Sequence, residues 1–153
     1  LNELEARSTE RQYPFVHLFN GALISLDTVR QVGNVDRDFF IYGEEVDYFF
    51  RLRQAGKVFS VLSATHLHPD VSQRPYTPMQ VYYYIRNTLV LNARYFSAVW
   101  LRNGLTIAAA LVRTARRNGL REALSLLLGQ RAAGFYRAIA LGLLGRVGKD
   151  FCD

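Results

Sequence analysis

Between Gly43 and Gly56 the chain reads EEVDYFFRLRQA, and wound as a helix this segment carries apolar residues around most of its circumference. Val46, Tyr48, Phe49, Phe50, Leu52 and Ala55 do not fit one stripe. Such a helix has to be buried on more than one side, so the flanking chain must supply packed layers. With 153 residues, half of them apolar, the chain has material for one domain with its own core.

The flanking residues predict short strands alternating with helices. VHLFNGALISL, residues 16 to 26, reads as a strand, a tight turn or bulge at Asn20-Gly21, and a second strand. Asp27 is placed to cap a short helix, TVRQVG, that stops at Gly33. The apolar helix runs from Glu44 to Ala55, is closed by Gly56, and leads into the strand VFSVL. That order is the grammar of an α/β or α+β layer. Residues 63 to 78 hold three prolines and predict a loop, after which PMQVYYYIRNTLVLNARYF repeats Val81, Tyr84, Ile85, Thr88 and Leu91 at helical spacing. From Trp100 the apolar runs LTIAAALV, ALSLLL and AIALGLL alternate with breaks expected at Arg113, Arg116, Arg117, Arg121 and Arg131. None of these runs approaches the ~20 residues that a bilayer-spanning helix needs.

Charge divides the chain more sharply than hydropathy does. Residues 1 to 93 hold nine Lys and Arg against ten Asp and Glu, a net of −1, whereas residues 94 to 153 hold ten against three, a net of +7, so the basic character belongs to the tail. A basic patch of that kind suggests an anionic partner: phospholipid, nucleic acid or protein. The single cysteine, Cys152, excludes an internal disulfide and fits a reducing, cytoplasmic compartment. LNELEARSTERQYPF, at the start, has neither an initiator Met nor a signal-peptide pattern, and the chain reads as the later part of something longer.

Glu44, Glu45 and Asp47 allow two readings. Acids in the first turn of a helix are stabilised by its dipole, by about 0.3–1 kcal/mol each. A carboxylate beside an apolar helix is also a candidate general base, because desolvation raises its pKa. Asp47 and Arg51 are four apart and can pair, with Glu45 on a different side of the helix. His66 and His68 alternate as metal ligands on a strand would, and equally suit a solvated loop. Arg86-Asn87, inside an aromatic-rich helix, reads as a structural hydrogen-bonding pair.

In order, these residues resemble a known family. NGALISLDTVRQVGNVDRDFFIYGEEVDYFFRLRQAGKVFSVLSATHLHP followed by YYYIRNTLVLNARYF is similar to the second half of a family 2 glycosyltransferase of the GT-A fold. The likeness is to the bacterial branch with rhamnosyl- and galactofuranosyltransferases of cell-surface polysaccharides. It rests on Gly21, VGNVD, Phe39-Phe40, EEVD, RLRQAG and His68, and covers about residues 15 to 97.

The resemblance implies an α/β fold: the acceptor-side half of a GT-A domain over residues 1–97, followed by a basic amphipathic helical tail over 98–153. By the same resemblance Glu45 stands at the catalytic base, where the family usually has Asp. Glu44 matches the acid that holds acceptor hydroxyls, Asp47 and Gly21 belong to the substrate-binding pattern, and His68 matches a ligand of Mn2+ or Mg2+. The implied partners are a nucleotide-diphospho-sugar donor and a polysaccharide or lipid-linked acceptor, met at the inner face of the cell membrane. No DxD precedes the expected strand, since DRD at 36 to 38 lies too late, so the donor-binding half is expected upstream and the chain alone to be inactive. Two rival readings are a non-catalytic scaffold or regulatory paralogue and an Arg-rich nucleic-acid-binding protein. The tail's long aliphatic runs and few stacking aromatics count against the second.

Overall fold

The computed structural model describes residues 8–10, 21–61, 65, 67 and 74–151, and the chain divides into two compact units. The first comprises Leu1–Asp36 with Glu45–Pro69. Its described elements are β1 (Ser8–Glu10), α1 (Leu26–Val32), all of α2 (Glu44–Ala55) beyond its first residue, and β2 (Phe59–Val61). β1 pairs antiparallel with β2, Thr9 opposite Ser60. Tyr48, Phe49 and Leu52 of α2 form the core of this unit, with Ile24, Val32, Val35, Phe50 and Val58 packed around them. Aliphatic side chains from before and after α2 thus pack against its aromatic residues. α1 begins at Leu26 behind Ser25, with Asp27 in its first turn paired to Arg30 at 2.9 Å, and ends at Gly33.

The second unit joins Arg37–Glu44 to Asp70–Asp153. A 3-10 turn, Arg37–Phe39, is followed by α3 (Pro78–Tyr95), α4 (Val99–Asn118), α5 (Leu120–Leu128) and α6 (Ala132–Leu143). α3 is the axis of this bundle, packed against both α4 and α6. It opens on a full capping box, in which the Thr77 hydroxyl accepts from Gln80 N and the Gln80 side chain accepts from Thr77 N, with Pro78 at the first helical position. Side-chain amides tie α4 to it: Asn118 exchanges two bonds with the Tyr76 backbone, at 2.9 and 2.8 Å, and Asn92 donates to Asn103 at 3.0 Å. α6 approaches so closely that a Cβ on Gly142 would lie 2.8 Å from the Arg86 carbonyl oxygen.

The expected α/β partial GT-A fold is not what the described residues form. They build six α-helices, and their strand content is one antiparallel pair of three residues each. Residues 21 to 25, expected as a strand, are a turn and irregular chain. A short apolar run bounded by Gly has no period of its own to separate strand from helix packing, and neighbouring chain decides. The tail also differs in detail: Arg113, Arg116 and Arg117 lie inside α4 and Arg121 inside α5, while the breaks fall at Gly119 and from Gly129 to Arg131. Long aliphatic stems let arginine continue a helix while its charge reaches water.

Candidate functional site

The acid cluster is preceded by an unusual loop. After Phe39, which is fully buried, Phe40, Tyr42 and Gly43 all have positive φ, at 60°, 61° and 100°. Left-handed backbone costs an ordinary L-residue roughly 1–2 kcal/mol, so two such residues need external support. Asn87 supplies it. Its Nδ2 donates to the carbonyls of Phe39, Ile41 and Tyr42 at 2.7, 2.9 and 2.7 Å. An amide nitrogen has two protons, so three acceptors share them. At Gly43 both conformation and space demand glycine, since a Cβ would meet the Phe39 ring at 3.0 Å and Leu91 at 3.2 Å.

Asn87 is itself held from behind. Its Oδ1 accepts from Arg86 Nε at 3.0 Å, and Arg86, fully buried, is ion-paired with Asp150. Arg86 Nη2 has no hydrogen-bond partner among the described residues, and the guanidinium instead stacks on Tyr83 and Tyr82, 4.8 and 5.6 Å from their ring centroids. Chain after α6 closes over this pair. Tyr82 donates to Asp150 at 2.9 Å, the Tyr83 hydroxyl accepts from Asp150 N and Phe151 N, and Gly148 N donates to the Asp38 carbonyl at 2.7 Å. Burial, with the Asp150 carboxylate beside it, pushes the Tyr82 hydroxyl up to about 12. Burial likewise raises Tyr42, which lies on the loop itself.

The loop ends at Glu44, the first residue of α2, with Glu45 next in the chain; both are half-buried. Asp47 is buried and accepts from Arg51 Nε at 2.9 Å, the pair expected from their spacing. Arg51 donates onward to the carbonyls of Val32 and Asn34, at 3.0 and 2.9 Å, so within the first unit this pair ties α2 to the end of α1. Gly21 sits in an exposed turn with φ of 102°. His66 and His68 lie outside the described residues. Among the described residues, no group of three or more His, Cys, Asp or Glu is gathered so as to hold a metal ion.

A stretch of 53 residues, 34% of the chain, is 47% identical to a galactofuranosyltransferase, GlfT1, of Mycolicibacterium smegmatis. The chain is related to a glycosyltransferase. The matched stretch spans 18% of that relative's length. No family model matches the chain, and no solved structure matches it.

Sequence reasoning recognised the Arg86-Asn87 pair but missed what it serves. A buried amide that fixes carbonyls on chain more than forty residues earlier leaves no local pattern. Asp150 carried the better signal, as one of only three acids in a strongly basic tail.

Proposed function

We propose that the chain is part of an inverting glycosyltransferase of family 2 that transfers a sugar, galactofuranose in the relative it matches, from a nucleotide-diphosphate donor to a polysaccharide or lipid-linked acceptor. The observation that carries this is the 47% identity over 53 residues with a galactofuranosyltransferase. In the proposed reaction the acceptor hydroxyl oxygen bonds to the anomeric carbon as the bond from that carbon to the diphosphate oxygen breaks. The diphosphate leaves with the electron pair. Glu45 takes the hydroxyl proton, and Glu44 holds neighbouring acceptor hydroxyls. A base must be held within hydrogen-bond reach of its proton, and an error of ~1 Å costs on the order of 10²-fold in rate, so the length of the Glu45 side chain should matter.

The test is made in the complete enzyme. Glu45→Gln is expected to lower kcat by roughly 10²–10⁴, the span for a lost acid-base group, with folding retained. Glu45→Asp should keep far more activity than Gln, and Glu44→Gln should act mainly on the acceptor KM. Near-normal turnover by Glu45→Gln at saturating donor and acceptor would remove Glu45 from the mechanism and leave the acids as helix-dipole partners.

A further inference from the structure

α4 packs Ile107 and Leu111 against the core, yet its fully buried positions are mostly polar and a second apolar stripe is left outward. Its inward face, Asn103, Thr106, Ala110 and Thr114, is buried and mostly polar, and that polarity is satisfied internally. Asn92 donates to Asn103 at 3.0 Å and to Thr106 at 3.3 Å, and the Thr114 hydroxyl donates to the Ala110 carbonyl at 2.9 Å. Its outward face repeats apolar residues at the same helical spacing, with Leu101, Leu105, Ala108 and Val112 all exposed. Leu101 is 65% exposed, Leu105 60%, and Trp100 at the helix start 85%. α5 adds a second stripe of this kind, with Leu120, Leu124 and Leu128 outward while Ala123 and Leu126 face in.

Charge names the occupant of that face. Residues 99 to 144 hold seven arginines and one acid, Glu122, which is ion-paired to Arg131. Arg116 follows Val112 by one turn of α4 and Arg121 adjoins Leu120 on α5; both are exposed, and neither forms an ion pair among the described residues. No helix of the described residues is long and apolar enough to cross a membrane. A helix with an apolar stripe, a tryptophan at one end and arginines alongside has the make-up of one that lies in the plane of a lipid interface.

We propose that α4, extended by α5, docks on an anionic lipid surface, its leucine stripe in the acyl boundary and its arginines among the headgroups. Burial of the stripe and attraction to lipid charge reinforce each other. This does not depend on the sugar-transfer reading, and the Glu45 variants leave it untouched.

The experiment is flotation of the chain with vesicles of phosphatidylcholine alone and of phosphatidylcholine with phosphatidylglycerol. Binding is expected to the anionic vesicles, at least about tenfold tighter than to the neutral ones and weakened by salt. Leu101→Asp with Leu105→Asp should abolish it; both positions are exposed, so circular dichroism should show the helices retained. Arg102→Gln, Arg116→Gln and Arg121→Gln together should weaken anionic binding by on the order of a hundredfold while weak binding to neutral vesicles persists. Equal binding to both vesicle types overturns the proposal. So does binding to neither, and in that case a dimer in solution that the Leu101→Asp, Leu105→Asp variant dissociates would assign the stripe to a second copy of the chain.

Discussion

Asn87 shows how much of this molecule hangs on single buried side chains. It spends one amide nitrogen on three carbonyls and its oxygen on Arg86, and it holds a loop with two left-handed non-glycine residues. Asn87→Ala would strand those carbonyls without a donor, at about 1–3 kcal/mol for each that stays buried. A loss of more than about 2 kcal/mol in urea-induced unfolding is therefore expected. Asn87→Asp should be no better, because the new carboxylate oxygen would face the same carbonyls. Stability within about 0.5 kcal/mol of the unaltered chain would show that the loop holds itself.

Elements meet here by contrasting means. α3 is joined to α4 by amide and hydroxyl groups, whereas α6 lies against α3 backbone to backbone at Gly142. A Cβ there would stand 2.8 Å from the Arg86 carbonyl oxygen and 2.9 Å from Leu89 Cβ, so the helices must separate to admit it. Gly142→Ala should cost about 1–3 kcal/mol despite alanine's better helix propensity. Gly134 of the same helix has nothing within 4 Å of its missing Cβ, and Gly134→Ala should stabilise by roughly 0.5–1 kcal/mol. Opposite signs from one substitution in one helix, read by thermal unfolding, check the close approach. Two stabilising alanines would disprove it.

At the scale of the molecule, the second unit gathers a set of tyrosines whose hydroxyls titrate late. Burial raises Tyr42 and Tyr76, and raises Tyr82 to about 12 from its ordinary 10.0. An unfolded chain releases these protons near pH 10, while the folded chain keeps that of Tyr82 until about 12. The unfolded state then binds fewer protons, so stability is full below pH 10 and falls as pH climbs from 10 to 12. Denaturation midpoints across that range should decline, and Tyr82→Phe should shallow the decline. A flat alkaline limb would mean that the seam between α3 and Asp150 opens before its tyrosines ionise.

The sequence alone determined what is local. The limits of α2 at Glu44 and Ala55, the start of α3 at Pro78 and the Asp47–Arg51 pair were all legible, because caps, helical period and four-residue spacing act within one turn. Relationship to a glycosyltransferase was legible too, carried by a stretch of side chains in order. Tertiary structure decided the rest. The expected strand at residues 21 to 25 is irregular chain, since a strand exists only where another pairs with it. Asn87 reaches a loop, and Arg86 reaches Asp150, only after α3 has packed. The same holds for α4. Its sequence shows two faces, but only the packing of α3 against Asn103 and Thr106 sets which one is covered, and it leaves the leucines facing out.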